Sequence, residues 1–210
     1  MIFRFASPAL GMYFTVWASI LVSVFSAVQY SAYAASNPAG VIPYACLNGQ
    51  TVVLLAYDPA PGRSAYAAFG GTRESGETIA ETAAREFKEE TRCAFDHPNS
   101  EDLAHLPHSN SNGYYTFVAE VAYKPVLQIE QHSCDARLER VGWQWFTLEN
   151  LLEALESDLA RPKLFAMGGD SSDAVGDTLE VTLWNKAADS MRQAMNDKLL
   201  VANLVCRNGA

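Results

Sequence analysis

Residues 71–93 read GTRESGETIAETAAREFKEETRC, and three glutamates, Glu86, Glu89 and Glu90, crowd its second half. Ala80, Ala83, Ala84 and Phe87 supply helix formers and an apolar stripe, so the spacing predicts a helix over 78–91. Thr78 is the expected N-cap, its hydroxyl accepting from a free N–H of the first turn. On a helix Glu86 and Glu90 stand one turn apart on one face, with Glu89 beside them. Like charges so placed repel by a few tenths of a kcal/mol, a cost that a cation between them removes. Carboxylate oxygens are hard ligands, so the ion expected is Mg²⁺ or Mn²⁺. Upstream, Gly70 and Gly71 let the chain turn sharply and offer a carbonyl to the same ion. Glu77 and Arg85 bracket the first half of the helix, as a pair that fixes the loop against it.

The stretch resembles the signature of the Nudix hydrolases, G-x5-E-x7-R-E-U-x-E-E-x-G-U, with U a bulky apolar residue. Gly71, Glu77, Arg85, Glu86, Phe87, Glu89 and Glu90 fall at its positions. An isolated E-x-x-E-E run is ordinarily a solvated helix face; the glycine, the Glu77 spacing and the Arg85–Glu86 pair set this one apart. The looser resemblance runs from about residue 40 to 155. Arg92 stands where the pattern has glycine, and Cys93 replaces an aliphatic residue. A side chain in the left-handed conformation that glycine would adopt there costs about 1 kcal/mol, so the helix exit is the expected departure.

The resemblance implies an α/β/α sandwich, helices covering both faces of a mixed β-sheet. It implies metal-dependent hydrolysis of the diphosphate linkage in a nucleoside diphosphate joined to another group. Glu86, Glu89, Glu90 and the Gly71 carbonyl are then metal ligands. Glu86, Glu89 and Arg85 carry the chemistry, Glu89 as third ligand or as base and Arg85 as the residue that orients the glutamates. Glu77 and Gly70 hold the loop. A further downstream glutamate is expected among Glu120, Glu130 and Glu139, with a lean to Glu139. The alternative on the same fold is a catalytically silent nucleotide-binding or sensor module.

Composition bounds the partners. The 210 residues are 49% hydrophobic and 19% charged, which fits a globular core, and the net charge is −9 with a pI of about 4.9. Such an acidic surface argues against nucleic acid in bulk, whose phosphates need Lys and Arg. A small nucleoside diphosphate derivative, its charge met by Mg²⁺, remains compatible. After Arg4 no charged residue occurs until Asp58, and residues 9–28 are largely apolar. Ala32-Tyr33-Ala34 follows as an A-x-A cleavage pattern, so residues 1–34 read as a secretory signal peptide preceding a catalytic domain over 35–210. About 20 apolar residues also span a bilayer, so an uncleaved membrane anchor is the second reading, and a buried core helix the third. The first two place the domain outside the cytoplasm, secreted, periplasmic or attached to the membrane.

The remaining elements follow in order. Strands are expected over 41–47 and 51–57, joined by the tight turn Asn48-Gly49, the second apolar on both faces and therefore central. A short strand over 64–69 leads into the glycines. Ala94 and Phe95 open a further strand, 101–106 is a helical turn, and 114–123, 126–129 and 137–146 are strands. Helices are expected over 147–159, capped by Thr147, and over 178–200. In an exported domain the four cysteines allow two disulfides in three connectivities; Cys46 and Cys93 lie in apolar contexts that suit buried thiols, and a Cys134–Cys206 bridge is conceivable. His97, His105 and His108 have no zinc spacing. Tyr114, Tyr115, Trp143 and Trp145 are candidates for stacking on a base, although aromatics at strand spacing usually belong to the core.

Overall fold

The computed structural model describes residues 37–134, 139–167, 179–201 and 204. Its frame is a mixed sheet, seven-stranded among the described residues. Strands β1 (Ala39–Leu47) and β2 (Gln50–Asp58) form the hairpin expected at Asn48-Gly49, whose φ values of 50° and 80° are those of the turn that matches strand twist. The path continues as β3 (Ala65–Ala67), β4 (Phe69–Gly71), β5 (His108–Ser111), β6 (Tyr114–Glu120) and β7 (Val141–Thr147). The order is β3-β2-β1-β6-β5, with β4 on β1 and β7 on β2. The β1–β6 pair is parallel and the rest antiparallel. Strands β8 (Lys163–Phe165) and β9 (Glu180–Thr182) make a separate ribbon.

Residues of β2 alternate between two apolar clusters, Val52, Leu54 and Ala56 in one, Val53 and Leu55 in the other. Helices α1 (Ile79–Glu90), α2 (Ser100–Ala104) and α3 (Val126–Gln131) close the first face through Ala83, Phe87, Leu103 and Ile129. Helices α4 (Leu148–Glu156) and α5 (Asn185–Asn196) close the second through Leu151, Leu155, Ala188 and Met191. This is the α/β/α sandwich that the resemblance implied. Each fully buried Leu, Ile or Phe contributes roughly 1.5–3 kcal/mol, so both faces must be covered for the sheet to persist.

Helix α1 opens on a reciprocal cap. Thr78 Oγ1 accepts from the Glu81 N–H at 3.2 Å, and Glu81 Oε2 accepts from the Thr78 N–H at 2.7 Å. Its exit keeps the left-handed geometry despite lacking glycine: Arg92 has φ 57° and Cys93 φ 59°. The Cys93 N–H donates to the Lys88 carbonyl at 2.7 Å and the Arg92 N–H to the Glu89 carbonyl at 3.0 Å. The strain of about 1 kcal/mol is offset by Arg92 Nη1 donating to the Glu130 carbonyl at 2.7 Å.

Expectations for the cysteines and for three segments are corrected. Cys93 is not a thiol; it bridges to Cys134, which is therefore not paired with Cys206, with Cα atoms 5.8 Å apart, tying the exit of α1 to the loop after α3. Cys46 is likewise disulfide-bonded, and Cys206 lies outside the described residues. Residues 126–129 belong to a helix. In a strand Leu127 and Ile129 would share a face, whereas Ile129 is buried and Leu127 is 69% exposed. The expected helix over 178–200 begins only at Asn185. Before it Val181 and Leu183 alternate inward with Glu180 and Thr182 outward, the period of a strand. Ala94 and Phe95 are buried but pair with no strand. Among the described residues no helix is long and apolar enough to cross a membrane; residues 9–28 lie outside them.

Candidate active site

Arg85 is the hub of the loop-to-helix junction. Its Nε donates to Glu77 Oε1 at 2.7 Å and its Nη2 to Glu77 Oε2 at 3.2 Å, a two-pronged pair that also reaches the Thr72 carbonyl at 2.9 Å. Its Nη1 donates to Glu86 Oε1 at 3.0 Å and to Glu89 Oε2 at 3.3 Å. Glu77 accepts further from the Glu74 N–H and the Thr82 hydroxyl, both at 2.9 Å. The Arg85 hydrogen bonds hold the Glu77 carboxyl down at about 2, and Glu77 raises the guanidinium in return.

The carboxylates converge at the sheet edge. Oxygens of Glu86, Glu90 and Glu139 lie within 4.8 Å of one another. At an effective dielectric of about 20, two unit charges that close repel by about 3 kcal/mol. Glu86 and Glu90 are 7% and 4% exposed, so water cannot relieve that repulsion; Glu139 is exposed. Burial pushes the Glu86 carboxyl up, against the pull of Arg85 and with Glu89 and Glu139 adding to it. Burial likewise pushes Glu90 up to about 7, against Arg140 and the Gly70 N–H. Glu89 is not in this cluster; its side chain is 45% exposed and turned to Arg85.

Both glycines are explained by close approach. A Cβ on Gly71 would lie 2.5 Å from Glu86 Oε1, so the carboxylate rests on the bare Cα. The Gly70 N–H donates to Glu90 Oε2 at 2.8 Å, and a Cβ there would meet the Tyr114 hydroxyl at 2.1 Å and the Gly40 Cα at 2.6 Å.

Arg140, Asp58 and Arg63 complete the site, and sequence reading missed all three. Arg140 is 3% exposed; its Nε donates to Glu90 Oε1 at 2.8 Å and its Nη1 lies 2.7 Å from Asp58 Oδ2, close but not aligned as a hydrogen bond. Arg63 Nη1 donates to the same Asp58 oxygen at 2.8 Å. Burial raises the Asp58 carboxyl, but the Arg63 and Ala60 N–H donors and the Arg140 charge outweigh it and leave it below its ordinary value. The usable signal was a charge at each end of an apolar run, Asp58 closing β2 and Arg140 preceding β7. It becomes legible only once β2 pairs with β7 at Tyr57↔Val141.

A NUDIX domain family model matches residues 37–166, more than half of the chain. The chain belongs to the Nudix family. A curated relative, uncharacterized protein L534 of Acanthamoeba polyphaga mimivirus, is 41% identical over 75 residues, which cover 34% of this chain and 24% of that protein. The chain thus spans about a quarter of that relative's length. Among solved structures, a MutT/nudix family protein from Enterococcus faecalis is similar at 15% identity and TM-score 0.46, covering 97% of this chain and 79% of that one. An Ap4A hydrolase from C. elegans is similar at 21% identity and TM-score 0.38, covering 55% and 82%.

In this Nudix chain only one of the three downstream glutamates weighed as additional ligands joins the carboxylate group, Glu139. Glu120 ends β6 and Glu130 sits on α3, both exposed. The aromatics divide. Trp143 and Trp145 are core residues, 3% exposed, their indole N–H groups donating to the Glu90 and Lys124 carbonyls at 3.0 and 2.8 Å. Tyr115 packs against the first cluster, whereas Tyr114 faces a cleft of about 590 Å³ that Gly70, Gly71 and Arg140 also line. His97 pairs with Asp102 at 2.6 Å on the surface.

Proposed function

We propose that this chain hydrolyses the diphosphate linkage of a nucleoside diphosphate joined to another group, with Mg²⁺ or Mn²⁺ held by Glu86, Glu90 and Glu139. The observation that carries this is the convergence of three carboxylates, two of them buried, against Gly70, Gly71 and Arg140, which line a cleft of about 590 Å³, large enough for a nucleotide. The donors fit a hard divalent ion: all are carboxylate oxygens, crowded at a separation that only a cation makes favourable. When bound, the ion neutralises phosphate charge and acidifies water. The Gly71 carbonyl is the backbone ligand in this reading.

The protein's own groups then divide the work. Arg85 holds Glu86 and Glu89 in place while Glu77 fixes Arg85, so the loop and helix act as one rigid piece. Arg140 and the Gly70 N–H orient Glu90. Glu89, the most exposed of the three helix glutamates, accepts the proton of the attacking water or serves as an additional ligand. Water oxygen bonds to phosphorus, the bridging P–O bond breaks, and two phosphate-bearing products leave.

The test is turnover of a panel that includes ADP-ribose and Ap4A, with and without Mg²⁺, beside the Glu90→Gln variant. Mg²⁺-dependent hydrolysis reduced about 10²–10³-fold in the variant is expected. No turnover together with a nucleotide-induced rise in Tm would instead identify a silent binding module. Export of the domain, with residues 1–34 removed or kept as an anchor, is part of the proposal. Its support is the apolar run, Ala32-Tyr33-Ala34, and the Cys93–Cys134 bridge, since disulfides persist in oxidising compartments. N-terminal sequencing of the protein from a fractionated host decides it: a cytoplasmic chain starting at Met1 would refute export.

A further inference from the structure

The cleft has a wall that the family match does not include. The match ends at residue 166, yet Trp184, Lys186 and Ala187, at the start of α5, line the cavity opposite Gly70 and Tyr114. This wall is pinned rather than draped. Leu183 bridges to Tyr66, the Trp184 N–H donates to the Tyr66 carbonyl at 2.9 Å, and β3 leads directly into the glycine strand.

Its chemistry is cationic. Arg63 Cζ lies 5.1 Å from the Trp184 ring centroid and Lys186 Nζ 5.9 Å from it, both within cation–π reach. Two cations therefore gather on one aromatic platform in a chain whose net charge is −9. Arg63 is already shared with Asp58, and Asp189, the acidic residue of the lining, is paired with Arg192 at 3.4 Å. Among the described residues no carboxylate pairs with Lys186 within 4.0 Å. Helix α5, twelve residues long, begins without any side-chain cap, which leaves first-turn N–H groups and the positive end of its dipole at the same place. An independent sign of a missing partner is the Thr116 hydroxyl. Thr116 lines the cleft, is 2% exposed, and its Oγ1, like Oγ of Ser109 opposite it on β5, has no hydrogen-bond partner among the described residues. Buried hydroxyls are nearly always paired, so the one of these two that lines the cavity is available to a group that enters it.

We propose that this wall is an anion subsite in which Lys186 and Arg63, ordered on Trp184, hold a phosphate of the substrate beyond the pair joined by the bond that breaks. The inference rests on the hydrolase reading above and sharpens it: substrates carrying more than two phosphates are favoured over simple diphosphates. The indole face is covered by cations, so phosphate rather than a nucleobase is the group it receives. Thr116 contributes a hydrogen bond to the bound molecule.

The experiment titrates inorganic triphosphate into the metal-free full-length protein by calorimetry, for the unmodified chain, Lys186→Glu and Thr116→Val. Lys186 is exposed, and Thr116→Val preserves shape, so both variants fold. The expected result is a Kd raised about tenfold or more by Lys186→Glu and a few-fold by Thr116→Val, with Tm not lowered in either. In a second arm, with Mg²⁺, Lys186→Glu raises KM for Ap4A while leaving KM for ADP-ribose within about twofold and kcat unchanged. An unchanged Kd overturns the subsite. Loss of triphosphate binding with no change in either KM overturns its assignment to the substrate and leaves a separate anion site. Turnover of neither substrate by the unmodified chain sinks the hydrolase reading, and the titration then decides the subsite by itself.

Discussion

Helices α1 and α5 have the same length, twelve residues, and cover opposite faces of one sheet, yet they are built in opposite ways. Helix α1 is capped at its start by Thr78 and Glu81, stopped by a left-handed exit, and carries its charge inward, with Glu86 and Glu90 buried. Helix α5 has no side-chain cap, buries mainly Ala and Met, and keeps Lys186 in solvent at the cleft wall. One helix gathers negative charge at the proposed metal site; the other, together with Arg63, presents positive charge at the proposed anion subsite. The contrast teaches that a functional helix is recognisable from its own sequence when its polar residues act on one another, and is silent when they act on a ligand across a cavity.

The two sides meet at Arg140, which holds Glu90 and lines the cleft. Replacing it should break both at once. Arg140→Met leaves Glu90 a buried carboxylate without a cationic partner, while Asp58 keeps Arg63, and should destabilise the fold by about 3–5 kcal/mol, read by urea unfolding. Adding Glu90→Gln should restore part of that loss, because the pair is coupled. Equal, additive losses would show that the ion chain is not the joint between the two regions.

The glycine pair sharpens the contrast on the α1 side. Gly71→Ala pushes only the end of the Glu86 side chain, so hydrolysis should fall at least about tenfold with little change in Tm. Gly70→Ala meets the Gly40 Cα at 2.6 Å and the Ala39 carbonyl at 2.7 Å, backbone that cannot step aside, and should cost about 1–3 kcal/mol of stability. If both substitutions acted alike, the cradle of Glu86 would be no more than packing.

The smallest effect is expected from acid. Glu77 has its carboxyl held at about 2 against an ordinary 4.5, so it binds fewer protons folded than unfolded. Its stabilisation is therefore complete above about pH 4.5 and is lost as pH falls towards 2. Glu77→Gln should flatten that part of the stability profile and, above about pH 5, lower it by a constant amount without changing its slope. Lys186→Ala, on the α5 side, should leave the whole acid profile as it is.

How far the site could be read in advance follows the same line. Glu77, Arg85, Glu86, Glu89 and Glu90 act within one helix and the loop before it, where the 3.6-residue repeat converts spacing into position. Glu139 was a lean among three glutamates because its approach depends on where β7 pairs. Cys93 was misread for the same reason: its partner lies 41 residues away, brought near by the turn of α3. Residues 180–183 were absorbed into a helix because an apolar run fits either period until a partner strand, here β8, selects one.

By itself the sequence determined the family signature, the capped helix and the tight Asn48-Gly49 turn, since each is written in residues that are near neighbours along the chain. Tertiary structure alone decided the Cys93–Cys134 bridge, the ion chain from exposed Arg63 through buried Asp58 and Arg140 to Glu90, and the cationic wall of Trp184 and Lys186. These depend on strand order and register, and no local period encodes which distant side chains a sheet will set side by side.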